Sequence, residues 1–288
     1  MKKLRIVHSV WTKPMLGKRW NIDGQLANNL WLFALSVANI KKFGHKAILH
    51  TDKLGKELYG WLPYDEIHLT LDNHNVHERF WASGKILAQE AEPLHSIHID
   101  GDVFLQLQEV WDLIADEKSD LIVQMIERDN TVASANSCYG INLNLVLSAL
   151  NLNVPQEFDR YQNSALNCGL VKFNNQKLKD RYIAGYKKML EICSNEPYFI
   201  KRISSDNNLC PDLAIEQWWL LSVLKHYGFN LKTVLPEWGE NFQYEADRIG
   251  YCHVVGAEKY EKINLVKDGL WRINPELYRE TEKIIEKL

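Results

Sequence analysis

Several features that would assign this 288-residue chain to a broad class are missing. Its five cysteines, Cys138, Cys168, Cys193, Cys210 and Cys252, are odd in number, and no two stand at C-x-x-C spacing. That fits free thiols in a reducing, cytoplasmic compartment better than a disulfide framework. No apolar stretch approaches the ~20 residues of a membrane-spanning helix. The opening run MKKLRIVHSVW begins basic, but His8 and Ser9 interrupt its apolar part, so it reads as a first β-strand and not as a secretion signal. An excess of positive charge is also absent: 34 Lys and Arg against 37 Asp and Glu leave a net charge of −3. A nucleic-acid binder that works by counterion release needs a basic surface, which this balance does not offer. Internal repeats, low-complexity tracts and clear linkers are likewise missing.

What is there is an ordinary globular composition, 46% hydrophobic and 25% charged, enough for a sizeable core. Ten tryptophans and twelve tyrosines are a high count, and aromatics stack on nucleobases and sugar faces as well as filling cores. Leu4 to Val10 reads as a buried strand, and Trp11 to Gly24 as loop. Leu26, Leu30, Phe33, Val37 and Ile40 lie on one face of a helix that Gly44 caps. Ala47 to Thr51 is a second strand, closed by Asp52, which completes a right-handed βαβ unit.

The alternation continues. Further strands are expected at residues 66–69, 96–99, 121–125, 169–173 and 251–255. Helices are expected at 80–91, 110–115 and 177–193, from an N-cap at Asp212 to about Lys225, and from Pro275 to Leu288. The small polar segment 128–139 has the character of a lid or binding loop. The fold class is therefore α/β, one domain with a mixed, mainly parallel sheet flanked by helices.

Four segments carry chemistry. In HSIHIDGDVFL an apolar strand runs into Asp100-Gly101-Asp102. In extended chain, residues two apart face one side, so both carboxylates aim at one point, where a divalent cation, Mg²⁺ or Mn²⁺, neutralises them. Gly101 lets a ligand approach the backbone. An ordinary Asp-Gly turn after a strand explains the same residues without a metal. In YCHVVGAEK, His253, Gly256 and Lys259 follow at steps of three. An imidazole completes a metal site and favours Mn²⁺, Gly256 opens the backbone to a phosphate, and Lys259 supplies a point charge. A strand histidine and a solvated lysine are the plainer reading. In LNCGLVKF, Asn167 and Gly169 open a strand and suit sugar hydroxyls, or simply a strand-entry turn. In IEQWWLLSVL, Glu216 and Gln217 interrupt an apolar helix. A buried carboxylate there is costly unless it is paired or useful, and an exposed helix face is the alternative.

Taken in order, D-x-D, N-x-G, acid-Gln and H-x-x-G-x-x-K resemble the family-8 retaining glycosyltransferases, the glycogenin and lipopolysaccharide galactosyltransferase type. The resemblance runs from the first strand to about Lys259. It implies the single-domain, Rossmann-like GT-A fold over residues 1–265, followed by a C-terminal helical extension over 266–288. It implies that Asp100, Asp102 and His253 hold Mn²⁺ (or Mg²⁺) against the diphosphate of a nucleotide sugar, most simply a UDP-sugar, with Gly256 and Lys259 on the diphosphate. Lys85, 15 positions before Asp100, matches the basic residue that contacts the donor in this family. Asn167 and Gly169 would face the donor sugar, and Glu216 and Gln217 the anomeric carbon as the catalytic pair.

Two departures stand out: Glu216 replaces the usual Asp, and Tyr260-Glu261 replaces the usual Pro-Trp after Lys259. The first strand differs as well, so His8, Ser9, Trp11 and Asp52 are donor-site candidates from their place at strand ends. The function implied is transfer of a sugar to a glycan or glycolipid hydroxyl in polysaccharide biosynthesis. Nucleic acid is not an expected partner, and contact with the inner face of a membrane would be peripheral. Two alternatives are a phosphohydrolase of the haloacid dehalogenase type and a non-catalytic nucleotide-sugar or carbohydrate-binding module. The first wants Thr or Val where Phe104 stands.

Overall fold

The computed structural model describes residues 3–16, 25–127, 137–237, 241–256 and 258–288. The chain opens with β1 (Arg5–Val10), α1 (Thr12–Leu16), α2 (Gln25–Lys42), β2 (Lys46–Thr51), α3 (Lys53–Tyr59), β3 (Glu66–His68), α4 (Ser83–Ala91) and β4 (Ile97–Ile99). It continues through β5 (Val103–Leu105), α5 (Gln108–Ile114), β6 (Leu121–Glu127), α6 (Cys138–Leu150), β7 (Ala165–Phe173), α7 (Gln176–Asn195) and α8 (Pro197–Ser205). A π-helical turn, Leu213–Trp218, leads into α9 (Trp219–Tyr227). Then come β8 (Leu231–Thr233), α10 (Phe242–Ile249), β9 (Tyr251–His253), α11 (Glu258–Glu261), α12 (Ile263–Ile273) and α13 (Pro275–Ile285).

Seven strands form one sheet in the order β3-β2-β1-β4-β7-β6-β8. All neighbours are parallel except those of β7, which runs against both β4 and β6. This is the mixed, mainly parallel, Rossmann-like α/β sheet expected of a GT-A-type domain. The parallel half is built from β1, α2 and β2, and Gly44 closes α2 with φ +74°, as its position predicts. β5 and β9 make a separate antiparallel ribbon.

Helices cover both faces of the sheet. One core joins β6 and β7 to α6, α7, α8 and α9 around fully buried Trp218, Trp219 and Tyr186. Each such side chain is worth roughly 2–3 kcal/mol of burial, so the packing and not local propensity holds these helices. On the other side, α12 and α13 lie on α2 through Leu270, Val266 and Leu277. Residue 265, the expected boundary of the C-terminal extension, falls inside α12. The five cysteines are free thiols. Among the described residues no helix is long and apolar enough to cross a membrane.

The structure departs from the sequence reading in several places. α1 and α3 occupy stretches read as loop or left unassigned, because Asp52 caps α3 through Gly55 N–H and also accepts from the Thr12 N–H and hydroxyl. α6 starts at Cys138, with Ser137 as its cap, inside the segment read as a polar loop; residues 128–136 of that segment lie outside the described ones. Residues 17–24 of the first expected loop do so too. Asp212 stands at the expected N-cap position, but its side chain makes no capping bond: it is fully buried and accepts from Ala82 N–H and the Tyr186 hydroxyl, tying α4 and α7 to the start of the π-turn.

Candidate metal and diphosphate site

Asp100-Gly101-Asp102 is the turn that carries the chain out of the main sheet and into the ribbon. Asp100 N–H still pairs with Gly169 O of β7 at 2.9 Å, and Val103 N–H closes the turn on Asp100 O at 3.0 Å. The two carboxylates therefore converge because the chain turns, not because it is extended. Gly101 has a packing reason: a Cβ there would lie 2.3 Å from the Phe33 ring. The ribbon register sets Val103 opposite His253, so the turn and the imidazole share one end of the ribbon.

One ligand atom each from Asp100, Asp102 and His253 lies within 4.8 Å of the other two. His253 Nε2 is 3.4 Å from Asp102 Oδ1. Its other nitrogen, Nδ1, is 2.7 Å from Gln124 Oε1, which also accepts from the Tyr251 hydroxyl at 2.9 Å. An amide oxygen only accepts, so Nδ1 donates to it, and Nε2 is the nitrogen that faces the carboxylates and would turn its lone pair to a cation held between them. Two carboxylates and an imidazole with a free lone pair are a donor set suited to Mn²⁺, and to Mg²⁺ less well. The residues fit such an ion.

Charge at the site is finely divided. Burial alone would raise the pKa of Asp102, but Lys259, with Nζ 2.5 Å from Oδ2, and His253 outweigh it and hold the carboxyl well below the usual range. Asp100 is raised by burial and by Asp102, with Lys85 opposing. Lys85 is buried, with Nζ 2.9 Å from Asp100 Oδ1, 3.0 Å from Glu216 Oε1 and donating to Cys168 O at 3.0 Å. Burial pulls its pKa down, and the two carboxylates more than restore it. Burial raises Glu216 to about 7.

A cleft of about 420 Å³ opens over this group, lined among others by Asp100, Asp102, Asn167, Gln217, His253 and Lys259. A smaller recess of about 160 Å³ adjoins it, sharing Asp100, Phe33 and Trp81, and is lined by Ser9, Trp11 and Lys85. Gly256 also lines the cleft; its φ of +58° suits glycine, and a Cβ there would touch nothing within 4 Å. Gly169 has the opposite reason for being small. A Cβ would fall 2.6 Å from Gln124 Oε1 and 2.7 Å from the His253 ring, so the glycine makes room for that pair.

Other candidates fall elsewhere. His8 does not line either cavity. Its ring is buried and bonded to the Tyr64 and Ser36 hydroxyls, and burial lowers its pKa to about 3. Asp52 is engaged by the two helix starts described above and lines neither cavity. Glu216 points away from the cleft onto Lys85, while its neighbour Gln217 faces the cleft. Within the π-turn, Leu213 and Gln217 lie four residues apart on the face that lines the cleft, and Glu216 lies on the buried side.

Three residues escaped the sequence reading. Gln124 lies where the β6–β7 register shifts between Val123 and Met125, a bulge that re-aims a side chain. Glu127 accepts from Asn167 Nδ2 at 2.7 Å and from the Tyr139 hydroxyl, which also touches Gln217. A polar Gln in the apolar run LIVQMIE was the one available signal.

A model described as a family of unknown function, DUF6734, matches residues 4–285, and the chain belongs to that family. No curated protein matches the sequence. Among solved structures, one of the galactosyltransferase LgtC in complex with donor and acceptor sugar analogs is 11% identical, covering 96% of this chain and 100% of that one, with a TM-score of 0.43. At that distance no residue role passes from one to the other.

Proposed function

We propose that this member of the DUF6734 family is a metal-dependent glycosyltransferase. It moves a sugar, with retention, from a nucleoside-diphosphate sugar, UDP-linked in the simplest case, to a hydroxyl of a glycan or glycolipid. One observation carries the reading. Asp100, Gly101, Asp102, Asn167, Gly169, Gln217, His253, Gly256 and Lys259, far apart in sequence, line one cleft, with three metal-competent ligand atoms within 4.8 Å of one another.

In this reading Asp100, Asp102 and His253 hold the cation. A divalent cation held there would supply positive charge that stabilises a leaving diphosphate. Lys259 adds a second charge, and the Gly256 backbone lets a phosphate oxygen come close. Trp11 and Ser9 line the recess that would take the base. Asn167, oriented by Glu127 and by Gly169 N–H at 3.0 Å, presents its polar edge to the donor sugar. Gln217 faces the anomeric carbon. Glu216 acts behind it, keeping Lys85 charged and so keeping Asp100 in place. The acceptor hydroxyl forms the new bond to the anomeric carbon on the face that the diphosphate leaves, its proton passes to the departing phosphate oxygen, and the nucleoside diphosphate takes the electron pair of the broken anomeric C–O bond. We read residues 1–265 as the donor-binding unit, 266–288 as its buttress on α2, and the compartment as cytoplasmic with peripheral membrane contact. The phosphohydrolase alternative has no comparable support, since Phe104, a buried residue of β5, stands where that motif wants Thr or Val.

The test is thermal unfolding with UDP, with and without Mn²⁺. A ligand at ~100 times its dissociation constant adds about 2.7 kcal/mol to stability. A shift that needs both, and is lost in Asp102→Asn, supports the donor site, and a panel of sugar donors then tests transfer. No shift with any nucleoside diphosphate would overturn the reading.

A further inference from the structure

The β5–β9 ribbon has two faces. Tyr251 and His253 face Gln124 and the metal carboxylates. Phe104, Cys252 and Val254 face the other way and floor a second groove of about 380 Å³, walled by α2 and α12. This groove shares no lining residue with the cleft. Val254 N–H donates to Asp102 O at 3.1 Å, so the groove lies one strand thickness behind the candidate metal site.

Three observations bear on what it takes. Its floor is apolar and buried, through Leu35, Phe104, Val254 and Val266, while Leu107 and Leu265 stand at the lips 42% and 68% exposed. A concave apolar surface with exposed leucines at its rim is a ligand groove in character. Among the described residues its lining holds three cations, Lys42, Lys262 and Arg272, and no carboxylate. Finally, Asn39 lines it and is 1% exposed; its Nδ2 donates to Leu35 O at 2.9 Å, but its Oδ1 has no hydrogen-bond partner among the described residues. A buried amide oxygen without a donor is costly, and a ligand that brings one relieves it.

We propose that this groove binds a single-chain alkyl phosphate monoester. The chain lies on the apolar floor and the head sits among the three cations. Asn39 and Lys42 are three residues apart on α2 and so are neighbours on its surface. The head must therefore offer an anion and a hydrogen-bond donor side by side. A phosphate monoester does so as its monoanion, through P–O⁻ and P–O–H groups, and as its dianion it brings two charges to the three cations, whereas an ionised fatty acid brings one charge and no donor. The groove is concave and walled by two helices, which suits one chain and not a bilayer surface.

Decyl phosphate, kept below its micelle concentration, tests this with the full chain, without nucleotide or metal. Binding is read by calorimetry and by alkylation of Cys252 with N-ethylmaleimide, mapped by mass spectrometry. The expected result is saturable binding that slows alkylation of Cys252 about tenfold and leaves exposed Cys138 unchanged. Inorganic phosphate should not protect. The double variant Lys42→Ala/Arg272→Ala, both surface positions, and Asn39→Leu should each weaken binding about tenfold or more. Their thermal unfolding and circular dichroism, matched to the parent chain, separate a lost site from a lost fold. Equal protection of Cys138, equal affinity in the folded variants, no binding, or binding only to vesicles of anionic lipid would each overturn the proposal.

Discussion

Gln124 Oε1 lies 2.7 Å from His253 Nδ1 and accepts its proton. This one bond decides which nitrogen of the imidazole faces Asp102. Its geometry depends on a register shift in β6–β7 and on the absence of a side chain at Gly169. The metal-competent group is thus supported from the main sheet, although two of its three members sit at the edge of the small ribbon.

Gln124→Leu removes that acceptor and frees the ring to rotate or change tautomer. Loss of such a supporting group typically weakens metal binding ~10–100-fold. Mn²⁺ titration followed by electron paramagnetic resonance should show this loss while the fold persists. Unchanged affinity would show that the ring is held by packing alone.

Gly169→Ala places a methyl 2.6–2.8 Å from Gln124 and the His253 ring. Overpacking of this kind costs roughly 1–3 kcal/mol and displaces the softer partner. Both a lowered Tm and a weakened Mn²⁺ affinity are expected. If the Tm falls and metal affinity does not, the methyl is accommodated by Gln124 and not by the imidazole.

Lys259→Met should separate the metal from the diphosphate. Lys259 neutralises Asp102 in the ligand-free site, so its removal spares or tightens Mn²⁺ binding. Affinity for UDP in the presence of Mn²⁺ should fall about tenfold or more, because a charge-assisted bond is lost. Parallel loss of both would make Lys259 a structural counter-ion only.

Glu216 gives a pH signature. Burial raises its pKa from 4.5 to about 7, so between those values the folded state binds a proton that the unfolded state has released. Its contribution to stability is therefore present below pH 4.5 and is lost as pH rises through about 7. The loss is at most about 3 kcal/mol. Denaturant unfolding across pH 4.5 to 8 should show this decline in the parent chain and a flatter profile in Glu216→Gln. An identical slope in both would assign the effect to other groups.

Much of the local structure was legible. The 3-and-4 spacing through α2, the left-handed glycine after it and the apolar strand before Asp100 each follow from short-range chemistry. α3 and α6 were not, because their caps, Asp52 and Ser137, sit in polar stretches whose composition equally suits loops. Asp212 was legible as a helix-start residue type, yet its buried carboxylate serves Ala82 and Tyr186, partners more than 25 residues away.

The site divides in the same way. By itself the sequence determined which side chains could bind a divalent cation and a diphosphate, since carboxylate, imidazole and ammonium chemistry belongs to residue type. Tertiary structure alone decided which of them meet. Asp102 and His253 are joined by the register of a ribbon whose strands lie some 150 residues apart. The π-turn buries Glu216 and exposes Gln217, and one bulge aims Gln124. A one-residue change of register or winding turns a side chain to the opposite face, and that choice is made by the packing of distant segments, which no local pattern encodes.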